Sequence, residues 1–339
     1  MTTPAGQQTL EELHNANRDS FFSRTTYVFR RWPLIPFLIL GTLILCALFA
    51  PLIAPYEPEK DQLRAVLATP AWGEPCEEGQ LSNKFESCNT NGVPLGRDEK
   101  VYHFLLGADQ LGRDLLSRII YGARLSLSLA AVAIAVGTFF GTLVGLVAGY
   151  YGGIIDEVIM RIVDVFNAIP YLLLAIALVF VLGQSFTVVA FVLALGAWAG
   201  IARLVRGQTL QVRNFDFIAL ARVAGASTPR LMLRHLLPAV GNTVVVATTL
   251  QVGNTILSES ILSFLGAGVP PPTPSWGADI SNGREYLGSA WWVAFFPGMA
   301  IFLTVLSFNF VGDWLRDRWD PRLRPVSYTH LTLPTIYSV

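Results

Sequence analysis

Charged residues are scarce in this chain, since Asp, Glu, Lys and Arg together make up 14% of its 339 residues. Hydrophobic residues make up 53% and the mean hydropathy is +0.49, which is too apolar for ordinary soluble domains. The 24 basic residues balance the 24 acidic ones. Net charge therefore gives no reason to expect nucleic acid as a partner, and the composition favours an integral membrane protein.

Residues that commonly carry chemistry are also few. The three cysteines lack the paired spacing of a zinc site, and we expect no metal and no cofactor. The four histidines all lie outside the apolar runs, which argues against a membrane-embedded enzyme. The segment GADQLGRD has the glycine spacing of a phosphate-binding loop, but Arg113 and Asp114 stand where Lys and Ser or Thr are required. We therefore expect no nucleotide site in this chain, and any energy that its function needs must come from elsewhere.

Six apolar runs are long enough to cross about 30 Å of hydrocarbon as helices. They are continuous rather than alternating, and an open sheet cannot satisfy its backbone in lipid. The sequence therefore predicts an all-α integral membrane protein with six transmembrane helices. The predicted spans are Leu34–Ala54, Leu125–Tyr150, Ile159–Leu182, Thr187–Leu204, Thr243–Phe264 and Trp291–Val311.

Arginines near the ends of these runs predict the orientation, because Lys and Arg close to a span favour the cytoplasm. They cluster before the first run, between the fourth and fifth runs and after the sixth, which predicts cytoplasmic N- and C-termini. The organisation expected is a cytoplasmic tail 1–33, a first span 34–54, a periplasmic segment 55–124 with a re-entry helix, a core of five helices 125–316 containing a cytoplasmic loop 215–239, and a cytoplasmic end 317–325. Residues 326–339 have the character of a foreign tail and are set aside.

Cys76 and Cys88 both fall in the predicted external segment. An oxidising compartment would permit a disulfide between them, and two unpaired thiols are the alternative.

A glycine repeat in the second run places Gly137, Gly141, Gly145 and Gly149 on one helical face. Small residues at this spacing allow another backbone to approach closely. The partner is expected to be a helix of the same chain, with a subunit interface as the alternative.

The loop from Phe215 to Ala239 predicts two short amphipathic helices. The first ends near Gly225, and the second opens with Thr228 as its cap and Pro229 in its first turn. A corner of small residues flanked by two arginines fits a docking knob, and a helical hairpin lying on the membrane surface is the alternative. The corner and its flanks comprise Arg222, Ala224, Gly225, Ala226, Ser227 and Arg230.

This loop resembles the EAA loop of ABC importer permeases at Ala221, Gly225, Leu237 and Pro238. It departs from that pattern at Ala219, where the family would have Glu, so an ion pair made by that Glu is absent. The resemblance implies that the helix around Gly225 inserts into a groove on a separate ATPase subunit.

Further segments resemble the peptide-type branch of this family, and they spread over residues 100–325. They are LGADQLGRDLLSRIIYGARLSL, GYYGGIIDEVIMRIVD, ESILSFLGAGVPPPTPSWG and LSFNFVGDWLRDRWDPRLR. The resemblance implies a type I ABC importer transmembrane domain in the bacterial inner membrane. It implies as partners a homologous second permease, two cytoplasmic ABC ATPases and a periplasmic binding protein, besides membrane lipid.

The substrate expected from the resemblance is a di- or oligopeptide, with nickel or another solute as an alternative. A secondary transporter driven by an ion gradient is a further alternative, although the internal repeat typical of many such proteins is not evident.

Polar residues in and after the fifth run are candidates for the translocation path. Glu259, with Asn254 and Ser258 nearby, is expected either to line the translocation path or gate or to make a structural contact. Trp276 closes a proline-rich segment that suits either a fixed external lip or a rigid turn between two spans.

Overall fold

The computed structural model describes residues 33–73, 94–95, 100–101 and 103–319. Cys76, Cys88, the N-terminal tail 1–32 and the segment 320–339 lie outside the described residues. The described part is almost entirely helical, with one short antiparallel pair of strands, β1 (Pro94–Leu95) and β2 (Lys100–Val101). This pair lies in the predicted external segment and is an addition to the all-α prediction.

Eleven helices are described in chain order. They are α1 (Leu34–Leu48), α2 (Ala50–Ile53), α3 (Leu115–Tyr151), α4 (Gly153–Ala168), α5 (Tyr171–Leu182), α6 (Phe186–Val212), α7 (Asp216–Val223), α8 (Thr228–Leu231), α9 (Leu237–Phe264), α10 (Trp276–Gly283) and α11 (Trp292–Trp319). Short 3-10 turns lie at Leu63–Ala65 and Arg284–Tyr286, and a π-helical turn, Met232–Leu236, joins α8 to α9.

Four of the described helices are long and apolar enough to cross a membrane, namely α3, α6, α11 and the continuous stretch Thr228–Phe264 that contains α9. A fifth span is formed if α4 and α5 are counted together. α1 is apolar but has only 15 residues. The chain is therefore a multi-pass membrane protein.

The predicted span Ile159–Leu182 is not one straight helix. α4 and α5 are bent by 86° at Ile169 and Pro170. Proline has no backbone N–H and disfavours helical geometry in the residue before it, which accounts for the break at this position. A hydropathy average over the length of a span includes both sides of the break, so the sequence prediction joined them although Arg161 and Asp164 lie in the first half of the run.

α3 begins at Leu115, ten residues before the predicted edge of its span. The Asp114 carboxylate caps this helix by accepting a hydrogen bond from the Ser117 backbone N–H at 2.8 Å. At the other end, Gly152 has φ +67, a conformation that favours glycine, and separates α3 from α4.

The most extensive helix contact joins α3 to α6, and the glycine repeat lies in it. A Cβ atom added at Gly141 would lie 2.5 Å from the Trp198 carbonyl oxygen, and one added at Gly145 would lie 2.5 Å from the Ala202 carbonyl oxygen. Gly137 and Gly149 likewise face α6, opposite Ala197 and Thr209. The repeat therefore lets two helices of the same chain pack backbone to backbone.

Buried charges fix the N-terminal end of α3 to the rest of the fold. The Arg118 guanidinium donates to Asp279 Oδ1 of α10 from Nε at 2.8 Å and from Nη2 at 2.5 Å. It also donates to the Pro58 carbonyl oxygen at 3.2 Å and lies 3.6 Å from Asp109. Burial raises the pKa of the Asp279 carboxyl, and the charge of Arg118 opposes that shift. The external segment, α3 and α10 thus share one buried polar junction.

Candidate functional site: the loop between α6 and α9

The turn between α7 and α8 is built around Gly225. This residue has φ +80, and its N–H donates to the Arg222 carbonyl oxygen at 3.0 Å while the next N–H, of Ala226, donates to the Ala221 carbonyl oxygen at 3.1 Å. These bonds close the C-terminus of α7 around a left-handed residue, which is the usual role of glycine at this position. No atom lies within 4 Å of the place where a Gly225 Cβ would stand, so the corner is open.

The second helix begins as predicted but with a different cap. Ser227 occupies the N-cap position and Thr228 is the first helical residue, so the prediction of Thr228 as the cap was wrong by one residue. Pro229 lies in the first turn, where its missing N–H costs no helical hydrogen bond.

The predicted docking residues lie mainly at the surface. Ala221, Ala226 and Thr228 are half-buried. The remaining seven are exposed, and they are Arg222, Ala224, Gly225, Ser227, Pro229, Arg230 and Pro238.

Large apolar side chains are exposed on the same loop. The Val223 side chain is 88% exposed and Leu220 is 69% exposed. Phe215, Phe217 and Leu233 are also exposed. Clustered exposed apolar residues of this size are typical of a binding surface, and sequence reasoning on the glycine corner alone had not included them.

The underside of the loop is anchored in the protein core. Ile218 and Leu236 are fully buried and pack in one cluster with Val205 of α6 and Val240 of α9. The helical path runs from Thr228 through the π-helical turn into α9 without a break. A force on the corner would therefore pass directly to α6 and α9.

Two arginines of α6 and its C-cap residue, Arg213, connect this region to neighbouring helices. Arg213 Nη1 donates to the Gly149 carbonyl oxygen at the end of α3 at 2.9 Å. Arg206 makes a two-bond pair with Asp156 of α4, with distances of 2.7 and 2.6 Å. Arg203 pairs with Asp164 at 2.6 Å. These contacts hold the ends of α3 and α4 against the helix that leads into the loop.

A second polar cluster surrounds Glu259 at the other end of α9. Its Oε1 accepts hydrogen bonds from Ser263 at 2.8 Å and Ser275 at 3.3 Å, and its Oε2 accepts from Ser126 at 2.9 Å and from Ser260 at 3.5 Å. The residue is 1% exposed. Glu259 therefore joins α9, α3 and the loop before α10 rather than facing an open surface. Ser126, Ser263 and Ser275 were missed because serine carries no distinctive sequence pattern.

The other residues predicted for the path differ in their surroundings. Asn254 is exposed and Ser258 is half-buried on α9. Trp276 is fully buried, and its indole N–H donates to the Ile119 carbonyl oxygen of α3 at 2.9 Å. A Cβ at Gly122 would lie 2.7 Å from the Trp276 ring, so the absence of a side chain there makes room for the indole. Trp276 fastens α10 to α3 and lines no open surface here.

Among the described residues, no group of three His, Cys, Asp or Glu side chains is arranged to hold a metal ion.

Comparison with known proteins gives consistent matches. Residues 141–325 match the family described as "Binding-protein-dependent transport system inner membrane component". This range includes the α6–α9 loop and all of the Glu259 cluster except Ser126.

Two curated relatives align with most of the chain. The di/tripeptide transport system permease protein DppC of Pseudomonas aeruginosa (strain UCBPP-PA14) is 39% identical over 282 residues, which are 83% of this chain and 85% of that protein. The glutathione transport system permease protein GsiD of Escherichia coli O6:K15:H31 (strain 536 / UPEC) is 43% identical over 282 residues, 83% of this chain and 84% of that protein.

A solved structure shares the fold. An inward-facing form of the MetNI methionine ABC transporter aligns with a TM-score of 0.50 at 22% identity, covering 60% of this chain and 96% of that one. At this identity the likeness concerns the fold alone.

Proposed function

Because the chain belongs to the family of binding-protein-dependent transport system inner membrane components, we propose that it forms half of the passage through which an ATP-driven importer moves short peptides. It is a transport subunit and not an enzyme. The peptide assignment is supported by its two relatives, which are named for di/tripeptide and glutathione transport.

The proposed topology has six spans, formed by α1 with α2, α3, the bent pair α4 and α5, α6, α9 and α11. Both termini lie in the cytoplasm, because the arginine-rich ends and the arginines of the α6–α9 loop then share one side. The membrane is the bacterial inner membrane. The segment 55–114 and α10 face the periplasm.

The partners proposed are a homologous second permease, two cytoplasmic ATPases and a periplasmic binding protein. The α6–α9 loop is the ATPase docking surface, and the observation that carries this assignment is its form. It presents an open glycine corner and exposed apolar side chains on one side, while Ile218 and Leu236 anchor the other side in the core.

In the proposed mechanism, ATP-driven approach of the two ATPases moves the loop, and the loop moves α6 and α9. The two permease halves then rock so that the passage opens alternately to each side. On α9, Asn254 and Ser258 line the passage, whereas Glu259 and Trp276 hold the outer gate together from within the subunit.

The test is a Gly225→Trp substitution, with Gly266→Trp as its matched control. Both glycines have positive φ, +80 and +78, and open space around them, so the two substitutions strain the backbone alike. The two positions lie on opposite sides of the proposed membrane. In the assembled complex, Gly225→Trp is expected to abolish co-purification of the ATPases and ATP-driven uptake, while Gly266→Trp keeps the ATPases bound. Normal ATPase binding by the Gly225→Trp variant would refute the docking assignment.

A further inference from the structure

One face of α9 carries polar side chains that are exposed or only half-buried within the part of the chain that the structure describes. Gln251, Asn254 and Ser258 follow one another at intervals of three and four residues, which places them on one side of a helix. Asn254 is exposed, and the other two are half-buried. Ala247, four residues before Gln251, continues the face with a small side chain. We call these four residues the α9 stripe.

Neighbouring helices pack on other parts of α9, and α6 packs against its two ends at Val240 and Leu262, before and after the stripe. On one side Thr248 Oγ1 lies 3.3 Å from Thr138 Oγ1 of α3, and Glu259 bonds Ser126 of the same helix. On another side α11 packs closely, because a Cβ at Gly312 would lie 2.6 Å from the Leu250 side chain. The α9 stripe lies on the side left between these two contacts.

Contact of the α9 stripe with lipid hydrocarbon would be energetically unfavourable. A primary amide in hydrocarbon loses its hydrogen bonds to water, at a cost of about 2–7 kcal/mol for each polar group. Polar groups at membrane depth are therefore found where they line a water-filled cavity or meet another polar surface. Two amides and a hydroxyl on one uncovered face indicate contact with water or with a polar solute.

The chemistry of the stripe is polar but uncharged. Gln251 and Asn254 each offer an amide with two donors and a carbonyl acceptor. The carboxylate of α9, Glu259, is buried and accepts hydrogen bonds from Ser126, Ser263 and Ser275. Asp164 and Arg203 form an exposed ion pair in which Arg203 Nη2 lies 2.6 Å from Asp164 Oδ1, so the two charges neutralise one another.

We propose that the α9 stripe is a neutral subsite of the passage that hydrogen-bonds the backbone amides of a moving peptide. Backbone amides are common to all peptides, so such a surface accepts different side chains. It has no fixed charge that would retain an acidic or a basic peptide. The proposal rests on the proposed transport function and adds to it a surface and a recognition chemistry.

The subsite is tested by giving it a charge. In the reconstituted complex with its binding protein, uptake of a lysine-containing dipeptide is compared with that of a glutamate-containing dipeptide. Asn254→Asp should raise the lysine-to-glutamate uptake ratio about threefold or more over wild type, as expected for one charge a few ångströms away in water, and Asn254→Lys should lower it. Since each ratio is referred to wild type, selection by the binding protein cancels.

The matched control is Asn242→Asp, which makes the same change at an exposed position of the same helix. Asn242 lies more than three turns before Asn254 and faces a direction rotated by about 120° around the helix axis. It should leave the ratio unchanged. An unchanged ratio in both Asn254 variants, with uptake intact, would overturn the subsite but not the transport function. A wild-type complex without ATP-driven uptake would overturn both.

Accessibility is tested separately. With Cys46, Cys76 and Cys88 replaced by Ser, the Asn254→Cys variant in the assembled complex should react with a membrane-impermeant thiol reagent. The Thr255→Cys variant, whose side chain is buried, should not react. A protected Asn254→Cys thiol that instead cross-links to the second permease would show that the stripe is a subunit interface, and would overturn the subsite.

Discussion

Arg118 of α3 and Asp279 of α10 form a buried ion pair across 161 positions of the chain. Both side chains are at most 3% exposed. The pair therefore fixes α10 to the start of α3, and Arg118 extends the junction to the Pro58 carbonyl oxygen. Breaking it should detach the outer end of the subunit from its longest helix.

The first prediction concerns this pair. Asp279→Ala should destabilise the protein by about 3–5 kcal/mol, because it leaves a buried guanidinium without its carboxylate. The measurement is the thermal midpoint of the purified protein in detergent. Asp164→Ala is the control, since it removes the partner of Arg203 from a pair whose side chains are each 54% exposed and should cost about 1 kcal/mol or less. An equal loss of stability in the two variants would contradict the role of the Arg118–Asp279 pair as a buried ion pair that holds the fold together.

The second prediction concerns the contact of α3 with α6. Gly141→Ala should lower stability by about 1–3 kcal/mol, because the new methyl group would overlap the Trp198 carbonyl oxygen and push the helices apart. Gly200→Ala on α6 is the control, since open space surrounds that glycine. Alanine there should be neutral or should stabilise the helix by up to about 1 kcal/mol. The two variants are compared by thermal midpoint and by yield of folded protein, and a stable Gly141→Ala variant would refute the close packing.

The third prediction concerns Glu259. Glu259→Ala removes the acceptor of the Ser126, Ser263 and Ser275 hydroxyls at once, while Ser260 keeps its bond to the Ile256 carbonyl oxygen, and should destabilise the C-terminal end of α9 by at least about 2 kcal/mol. Proteolysis in the loop 266–275 should become faster, because Ser275 no longer ties that loop to α9. Asn254→Ala on the exposed face of the same helix is the control and should leave the cleavage rate unchanged. A loop that resists protease equally in both variants would exclude the fastening role.

Four of the six predicted spans overlap described helices that are long and apolar enough to cross a membrane, because hydrocarbon thickness sets a minimum length for an apolar run. Bends within the spans and the residues at which helices begin were harder to predict. Pro170 bends the α4–α5 run by 86°, and α4 is more polar than α5, but hydropathy averaged over the length of a span includes both sides and did not mark the break. The start of α3 was placed late because Ser117 and Arg118 are polar, and their burial depends on an external segment distant in the sequence.

Parts of the candidate site could also be predicted from local sequence, whereas other parts depend on tertiary packing. The glycine corner at Gly225 was predictable from local turn chemistry, since a left-handed residue between two helices favours glycine. The serine partners of Glu259 come from three separate segments, and only tertiary packing brings them together. In the same way, the glycine repeat predicted a close contact but could not identify α6 as the helix on the other side.

The central claim is that the α6–α9 loop lies in the cytoplasm and touches an ATPase. The most direct test is site-specific cross-linking from a Ser227→Cys variant, whose side chain is exposed beside Gly225, with Cys46, Cys76 and Cys88 replaced by Ser. In intact cells we predict a covalent adduct with the ATPase subunit and no labelling by an impermeant thiol reagent added outside. Labelling from outside, with no ATPase adduct, would contradict the account.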